Sequence, residues 1–226
     1  MDGSNLIKKV DSYSYDFLSK LFSMPKVQAV AQLCPGLAAV ATYFASRHAK
    51  DSEEAIINLI HLVNSKVQSV DRKKLDKDFF DTSDGRRIVA RVFMSILNDN
   101  RKEKVEAMAN LAVNLQVKSS VSVDEKELFV TTLDSLNPVQ LAILDSAVAF
   151  MRARKDYPAS RGFSWEKIAN EFIGKGVNKV IVSQSLRILQ SNWIINEWSG
   201  IQPENTTHVV TDYGELFYDH ITKVYV

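Results

Sequence analysis

Helical periodicity dominates the first 136 residues of this 226-residue chain. Apolar residues recur there at spacings of three and four, the period of an amphipathic helix, and no alternating strand pattern appears before about residue 190. The segments that show this most clearly are 52–70, 83–98 and 103–116, and a further helix starts at Asp124. Because these contacts are local and helix-on-helix, the pattern predicts a mainly α N-terminal helical bundle over residues 1–136.

A change of pattern at Asn137 and Pro138 predicts the domain boundary. Asn is a good N-cap, and Pro suits the first helical position because its missing N–H would have no partner there. We expect a helix over 138–152 with Leu141, Leu144, Val148 and Met151 inward, and a polar break over 154–162. Residues 137–226 are therefore predicted to form a second domain.

Two short helices joined by a glycine turn follow this break. Ser164 is a candidate cap for the first, and Gly174 and Gly176 supply a tight turn. The second helix, 178–191, is expected to bury Val180 or Ile181 together with Leu186 and Leu189. A strand at 193–195, a polar tip at 200–205 and a return strand at 206–211 then predict a β-hairpin. Helix, turn, helix and hairpin in this order predict a winged helix.

The end of this segment resembles the winged-helix modules of many small prokaryotic regulators. The residues that carry the resemblance are the Leu-x-x-Leu of the second helix, Leu186 and Leu189, and the closing run from Val210 to Phe217, Val-Thr-Asp-Tyr-Gly-Glu-Leu-Phe. The resemblance covers about residues 138–226 and implies a DNA-binding regulator. The stretch 103–148 is also similar in pattern to bacterial Abi-alpha-type proteins associated with abortive infection, which implies a phage-defence setting.

Side chains suited to DNA lie around the second helix. A recognition helix places such residues in the major groove, where Asn and Gln read adenine and Arg reads guanine, while basic residues contact phosphates. The candidate DNA-binding residues are Lys175, Asn178, Lys179, Ser183, Gln184 and Arg187.

Charge opposes this interpretation. The chain carries 28 Lys and Arg against 27 Asp and Glu, and from Asn137 onward the count is nine against nine. The predicted wing tip holds Glu204 and no basic residue. Phosphate contacts dominate DNA affinity, so the alternative is a protein-interaction scaffold whose winged helix mediates dimerisation or partner docking.

No pattern of catalytic or metal-binding residues is present in the sequence. The four histidines are scattered, no HExxH or CxxC occurs, and Gly174-Lys175-Gly176 lacks the spacing of a phosphate loop. We therefore expect a protein that is not an enzyme and uses no cofactor or metal. The single cysteine, Cys34, cannot form an internal disulfide and is expected to lie inert in a core.

One uncharged stretch, 27–46, is long enough to cross a bilayer as helix. Gln28, Gln32 and Pro35 interrupt it, so a broken helix packed inside the bundle is the expectation, with membrane association as the alternative. The N-terminus has no apolar region behind its basic residues and is not expected to be a secretory signal. We predict a cytoplasmic protein that self-associates, with duplex DNA or another protein as its partner.

Overall fold

The computed structural model describes residues 50–71, 73–76, 79, 82–118, 121–154, 162–198 and 207–225. Within them the chain is mainly helical, with a small antiparallel sheet of three strands. The helices are α1 (Lys50–Val67), α2 (Ser83–Asn98), α3 (Lys102–Asn114), α4 (Val123–Ser135), α5 (Pro138–Arg152), α6 (Trp165–Gly174), α7 (Lys179–Ser191) and α8 (Asp212–Thr222). The strands are β1 (Gly162–Ser164), β2 (Ile195–Trp198) and β3 (Thr207–Val210).

The described residues divide into two compact units, 50–134 with 221–225 and 135–220. The predicted boundary lies two residues later, between 136 and 137. Residues 221–225, which the sequence assigns to the second domain, group instead with the first unit. Segment 27–46, Cys34 and the wing tip 200–205 lie outside the described residues, so the expectations for them stay predictions.

The first unit is a helical bundle in which α1, α2 and α3 pack against one another. Its helix α2 begins at a residue whose side chain caps it. Thr82 accepts a hydrogen bond at Oγ1 from the Gly85 N–H, at 2.9 Å, at the start of α2. A Cβ at Gly85 would lie 1.8 Å from the Phe79 carbonyl oxygen, so only glycine fits this first turn. The core is formed by apolar side chains of all four helices, among them Leu59, Ile60, Val63, Ile88, Phe93, Ile96, Met108, Leu111, Phe129 and Leu133.

The C-terminal segment binds to α3 through two buried asparagines. Asn110 donates from Nδ2 to the Ile221 carbonyl at 2.9 Å, and Asn114 donates from Nδ2 to the Lys223 carbonyl at 2.7 Å. The Asn114 Oδ1 accepts from the Tyr225 N–H at 3.0 Å. The side-chain amide of Asn114 therefore both donates to and accepts from the backbone of the C-terminal segment. These hydrogen bonds explain why residues 221–225 belong to the first unit.

The second unit has the element order α5, β1, α6, α7, β2, β3, α8. Its sheet has the order β1-β3-β2, and both pairings are antiparallel. β3 is central, with His208 opposite Phe163 on one side and Glu197 on the other. The buried core of the unit includes Ile143, Leu144, Ala147, Val148, Met151, Phe163, Ile168, Phe172, Val182, Leu189, Ile194, Ile195, Val210 and Phe217.

Two expectations about strands are wrong. β1 lies at 162–164, well before residue 190, because three residues are too few to show alternation; it forms by pairing with β3. The first hairpin strand is Ile195–Trp198 and not 193–195, because residues 192–194 complete the end of α7. By contrast, α5 has the expected bounds and begins where Asn137 and Pro138 predict; Leu144, Val148 and Met151 are buried as expected, but Leu141 is only half-buried. The Asn137 Oδ1 accepts from the Gln140 N–H while the Gln140 side chain accepts from the Asn137 N–H.

Candidate nucleic-acid interface

α7 has one buried face and one broad exposed face. Val182, Ser185 and Leu189, at spacings of three and four, are the buried residues. The Ser185 hydroxyl donates to the Ile181 carbonyl at 2.8 Å, which satisfies its polar group inside the unit. The expectation that Val180 or Ile181 is buried is wrong: their side chains are 65% and 48% exposed.

The turn before α7 is fixed by the end of α6. The Gly176 N–H donates to the Ile173 carbonyl at 2.9 Å, and the Val177 N–H donates to the Phe172 carbonyl at 3.0 Å. This pair of bonds is a Schellman motif, which requires a left-handed residue at its centre. Gly176 meets that need with φ of +87°. Gly176 therefore supplies the turn between α6 and α7 as predicted, whereas Gly174 is the last residue of α6 and does not adopt a left-handed conformation.

All six candidate DNA-binding residues are exposed. The structure brings four of them together on the outer surface of α7: Lys179, Ser183, Gln184 and Arg187. Asn178 caps the helix, since its Oδ1 accepts from the Val180 N–H at 2.8 Å. Its carboxamide is thus already engaged in the cap, while its predicted contact with DNA stays a prediction.

Lys175 stands apart from those four at the end of α6. Its Nζ lies 2.5 Å from the Glu171 carboxylate and 5.0 Å from the centre of the Phe172 ring. Lys179 and Arg187, by contrast, have no carboxylate within ion-pair distance among the described residues. These two cations are therefore the better placed of the three to meet an external anion.

Three acidic residues of this unit, Asp145, Glu215 and Asp219, pair with side chains of α5 and α8. Arg152 lies 3.0 Å from the Asp219 carboxylate and 3.9 Å from that of Glu215, which joins α5 to α8. The Tyr218 hydroxyl donates to Asp145 across the same two helices. Burial, and then this hydrogen bond, raise the pKa of Tyr218, so the phenol remains a donor at neutral pH. None of these carboxylates lies on α7.

α7 is the only one of the eight described helices without an Asp or Glu. Its sequence, KVIVSQSLRILQS, carries two cations and no compensating anion. A unit that carries eight Lys and Arg against nine Asp and Glu in its sequence therefore exposes one helix that is locally positive. The overall charge count does not reveal this uneven distribution of charged side chains.

Trp193 ends α7 in an unusual backbone conformation. The Trp193 N–H donates to the Gln190 carbonyl and the Ile194 N–H donates to the Leu189 carbonyl, both at 3.0 Å, which is a second Schellman motif. Here the left-handed position is occupied by Trp193, with φ of +58°, where glycine is the usual residue. Its side chain is 70% exposed.

The closing run of the sequence motif, Val210 to Phe217, contacts the backbone of Trp193 through Thr211. Thr211 donates from Oγ1 to the Trp193 carbonyl at 2.6 Å and accepts at the same oxygen from the Gly214 N–H at 2.8 Å. A Cβ at Gly214 would lie 2.2 Å from the Ile194 carbonyl oxygen. Thr211 and Gly214 therefore join the start of α8 to the end of α7.

Sequence reasoning missed the exposure of Val180, Ile181 and Trp193. Residues 180–182 are consecutive and apolar, so periodicity alone does not choose which one turns inward. The signal that was present is the spacing of Val182, Ser185 and Leu189, which fits one helix face but is hidden because its middle member is polar.

Other kinds of site are not seen in the part of the chain that the structure describes. No group of three or more His, Cys, Asp or Glu side chains there is arranged to hold a metal ion. Nor is any helix within the described ranges both long and apolar enough to cross a membrane. Comparison with known proteins gives no relative: no protein-family model, no curated protein and no solved structure matches the chain.

Proposed function

We propose that residues 138–222 form a winged helix-turn-helix that binds duplex DNA, in a cytoplasmic, non-enzymatic protein of regulatory or phage-defence type. The order of elements supports this proposal: two helices joined by a glycine turn, then a two-stranded hairpin, with β1 adding a third strand to the sheet. The helical bundle would serve in self-association or sensing.

The observation that carries the proposal is the exposed, acid-free face of α7. Lys179 and Arg187 lie on it without a carboxylate partner in the part of the chain that the structure describes, and Gln184 lies between them. An α-helix fits the major groove of B-DNA, where Gln bonds adenine and Arg bonds guanine or phosphate. No other described helix offers this combination of charge and hydrogen-bonding groups.

The small number of basic residues in this unit limits how tightly it can bind DNA. Phosphate contacts supply most of the affinity, and each adds about one unit to the slope of log K against log salt. The two cations on α7 are therefore expected to contribute about 2 units to this salt slope for each copy of the module. Binding is therefore expected to be moderate at low salt and weak at physiological salt unless two copies act together.

Fluorescence anisotropy with a labelled 30-base-pair duplex, titrated at several salt concentrations, tests the proposal. We expect Lys179→Ala/Arg187→Ala to weaken binding and to lower the salt slope by about 2. Arg86→Ala/Lys102→Ala is the charge-matched control, since it removes two exposed cations from the helical bundle. Lack of binding at low salt, or equal losses in the two double variants, contradicts DNA binding by α7.

A second candidate function, docking of a protein or of a second copy, is favoured by the exposure of Trp193. A large apolar ring at 70% exposure is typical of interface anchors, where Trp is enriched. Sedimentation of the wild type and Trp193→Ala over a range of concentrations separates the two functions. A dimer that Trp193→Ala dissociates, in a chain that binds no DNA, supports docking.

A further inference from the structure

We propose that Val180 and Ile181 read the C5-methyl groups of thymine, so that α7 prefers A·T-rich duplex DNA. The inference rests on the proposed DNA-binding function and adds the base that is recognised. The first observation is the exposure of these side chains, 65% for Val180 and 48% for Ile181, in the first turn of α7. The N-terminal residues of a recognition helix are those that reach base edges.

The second observation is what surrounds the two side chains. Gln184 lies four residues after Val180 and three after Ile181, so its side chain is their neighbour on the helix surface. In the major groove, thymine presents a methyl group beside the adenine N6 and N7 of its own pair. A branched apolar side chain can therefore contact the thymine methyl while the neighbouring glutamine bonds the adenine of the same pair.

The third observation is that packing does not require these residues to be apolar. The buried face of α7 is formed by Val182, Ser185 and Leu189. β-branched residues such as Val180 and Ile181 also lower helix propensity, so neither the core nor the helix explains their presence. An external apolar partner does, and a methyl group in the groove is the partner that a DNA-binding helix meets.

Two alternating copolymer duplexes provide the test. Poly(dA-dT) and poly(dA-dU) carry the same charge and the same hydrogen-bonding groups, and they differ only in the thymine methyl that every base pair of the first presents. We expect wild-type protein to bind poly(dA-dT) more tightly, by about 4-fold for each methyl contacted. Competition anisotropy at low salt measures this ratio.

Variants identify the residues responsible. Val180→Ser and Ile181→Ser are expected to bring the ratio toward 1 while keeping the affinity for poly(dA-dU). Leu216→Ser is the matched control, because Leu216 is an exposed apolar residue of α8. Gln184→Ala is expected to weaken binding to both polymers equally, since adenine is present in each. Circular dichroism verifies that all four variants fold.

The possible outcomes distinguish a failure of methyl recognition from a failure of DNA binding. Equal binding of the two polymers by wild-type protein overturns methyl recognition and leaves DNA binding standing. A ratio that persists in both serine variants overturns the assignment to Val180 and Ile181. Binding to neither polymer at low salt overturns the proposed function and the inference together.

Discussion

Lys104 and Lys126 each cap the helix that carries the other. Lys104, near the start of α3, donates from Nζ to the carbonyls of Leu133 and Asp134 (the latter at 2.9 Å) at the end of α4. Lys126, near the start of α4, donates to the Leu115 carbonyl at the end of α3, at 2.7 Å. The last carbonyls of a helix lack partners and carry partial negative charge, which a buried ammonium satisfies. The exchange locks α3 and α4 as an antiparallel pair.

Replacing Lys104 is expected to destabilise the bundle and to remove a pH dependence. Lys104 is fully buried, so Lys104→Met leaves two carbonyls without a donor and should cost about 1–3 kcal/mol at pH 7.5. Burial lowers the pKa of Lys104 below 10.5. Between that lowered pKa and 10.5 the unfolded chain binds more protons, so this group makes wild-type stability rise with pH.

Urea denaturation at pH 7.5 and at pH values approaching 10.5 measures this effect. The difference in free energy of unfolding between wild type and Lys104→Met should widen toward the higher pH. Lys102→Met, which replaces an exposed lysine of the same helix, is the control for the loss of a lysine as such. A constant gap at all pH values would contradict a lowered pKa for Lys104.

The C-terminal segment is expected to stabilise the first unit through Asn114. Asn114→Ala removes two hydrogen bonds to the backbone of Lys223 and Tyr225 and should cost about 1–3 kcal/mol. Deletion of residues 223–226 removes the same bonds from the other side. In a double-mutant cycle measured by urea denaturation, the two changes should therefore be strongly non-additive. Additive losses would show that the asparagine and the segment act independently.

Gly214 and Gly174 should respond oppositely to alanine. A Cβ at Gly214 would lie 2.2 Å from a backbone oxygen, so Gly214→Ala must move the end of α7 and should cost about 1–3 kcal/mol. A Cβ at Gly174 meets nothing within 4 Å at the last position of α6, so Gly174→Ala should gain up to about 1 kcal/mol. Thermal unfolding of the two variants measures both. Equal effects would contradict the close approach at Gly214.

The strain at Trp193 is measurable by comparing two truncations. Trp193→Ala and Trp193→Gly both remove the exposed ring, but only the glycine variant relieves the left-handed backbone at φ +58°. The glycine variant should be more stable than the alanine variant by about 1 kcal/mol, even after its greater freedom in the unfolded chain is counted. Chemical denaturation gives the difference. An alanine variant that is equally stable would show that Trp193 is not strained.

Helix positions were largely predictable because they depend on local signals. α2 and α5 have the expected bounds, 83–98 and 138–152, and Asn137 and Pro138 mark the start of α5 within a single turn. The glycine turn before α7 was predictable for the same reason: a left-handed residue at Gly176 is required by the chain itself. Caps and turns act over three to five residues, so sequence reveals them.

Which face of α7 turns outward was not predictable. Three consecutive apolar residues, 180–182, offer three alternatives, and the choice depends on where α5, α6 and β2 lie around the helix. Strand β1 is similar, since it exists only because β3 pairs with it. The buried lysines were also invisible, because their partners lie 11 to 30 residues away in the chain.

The sequence by itself therefore determined a mainly helical chain, the starts of its best-capped helices, and a helix, glycine turn, helix and hairpin in its second half. Tertiary structure alone decided that Val180 and Ile181 face outward, that Trp193 stands exposed at the end of α7, and that residues 221–225 join the first unit. The physical reason is the distance along the chain over which each interaction acts. Propensity and capping are properties of neighbouring residues, whereas burial and charge pairing are settled by elements that meet only after the chain has folded.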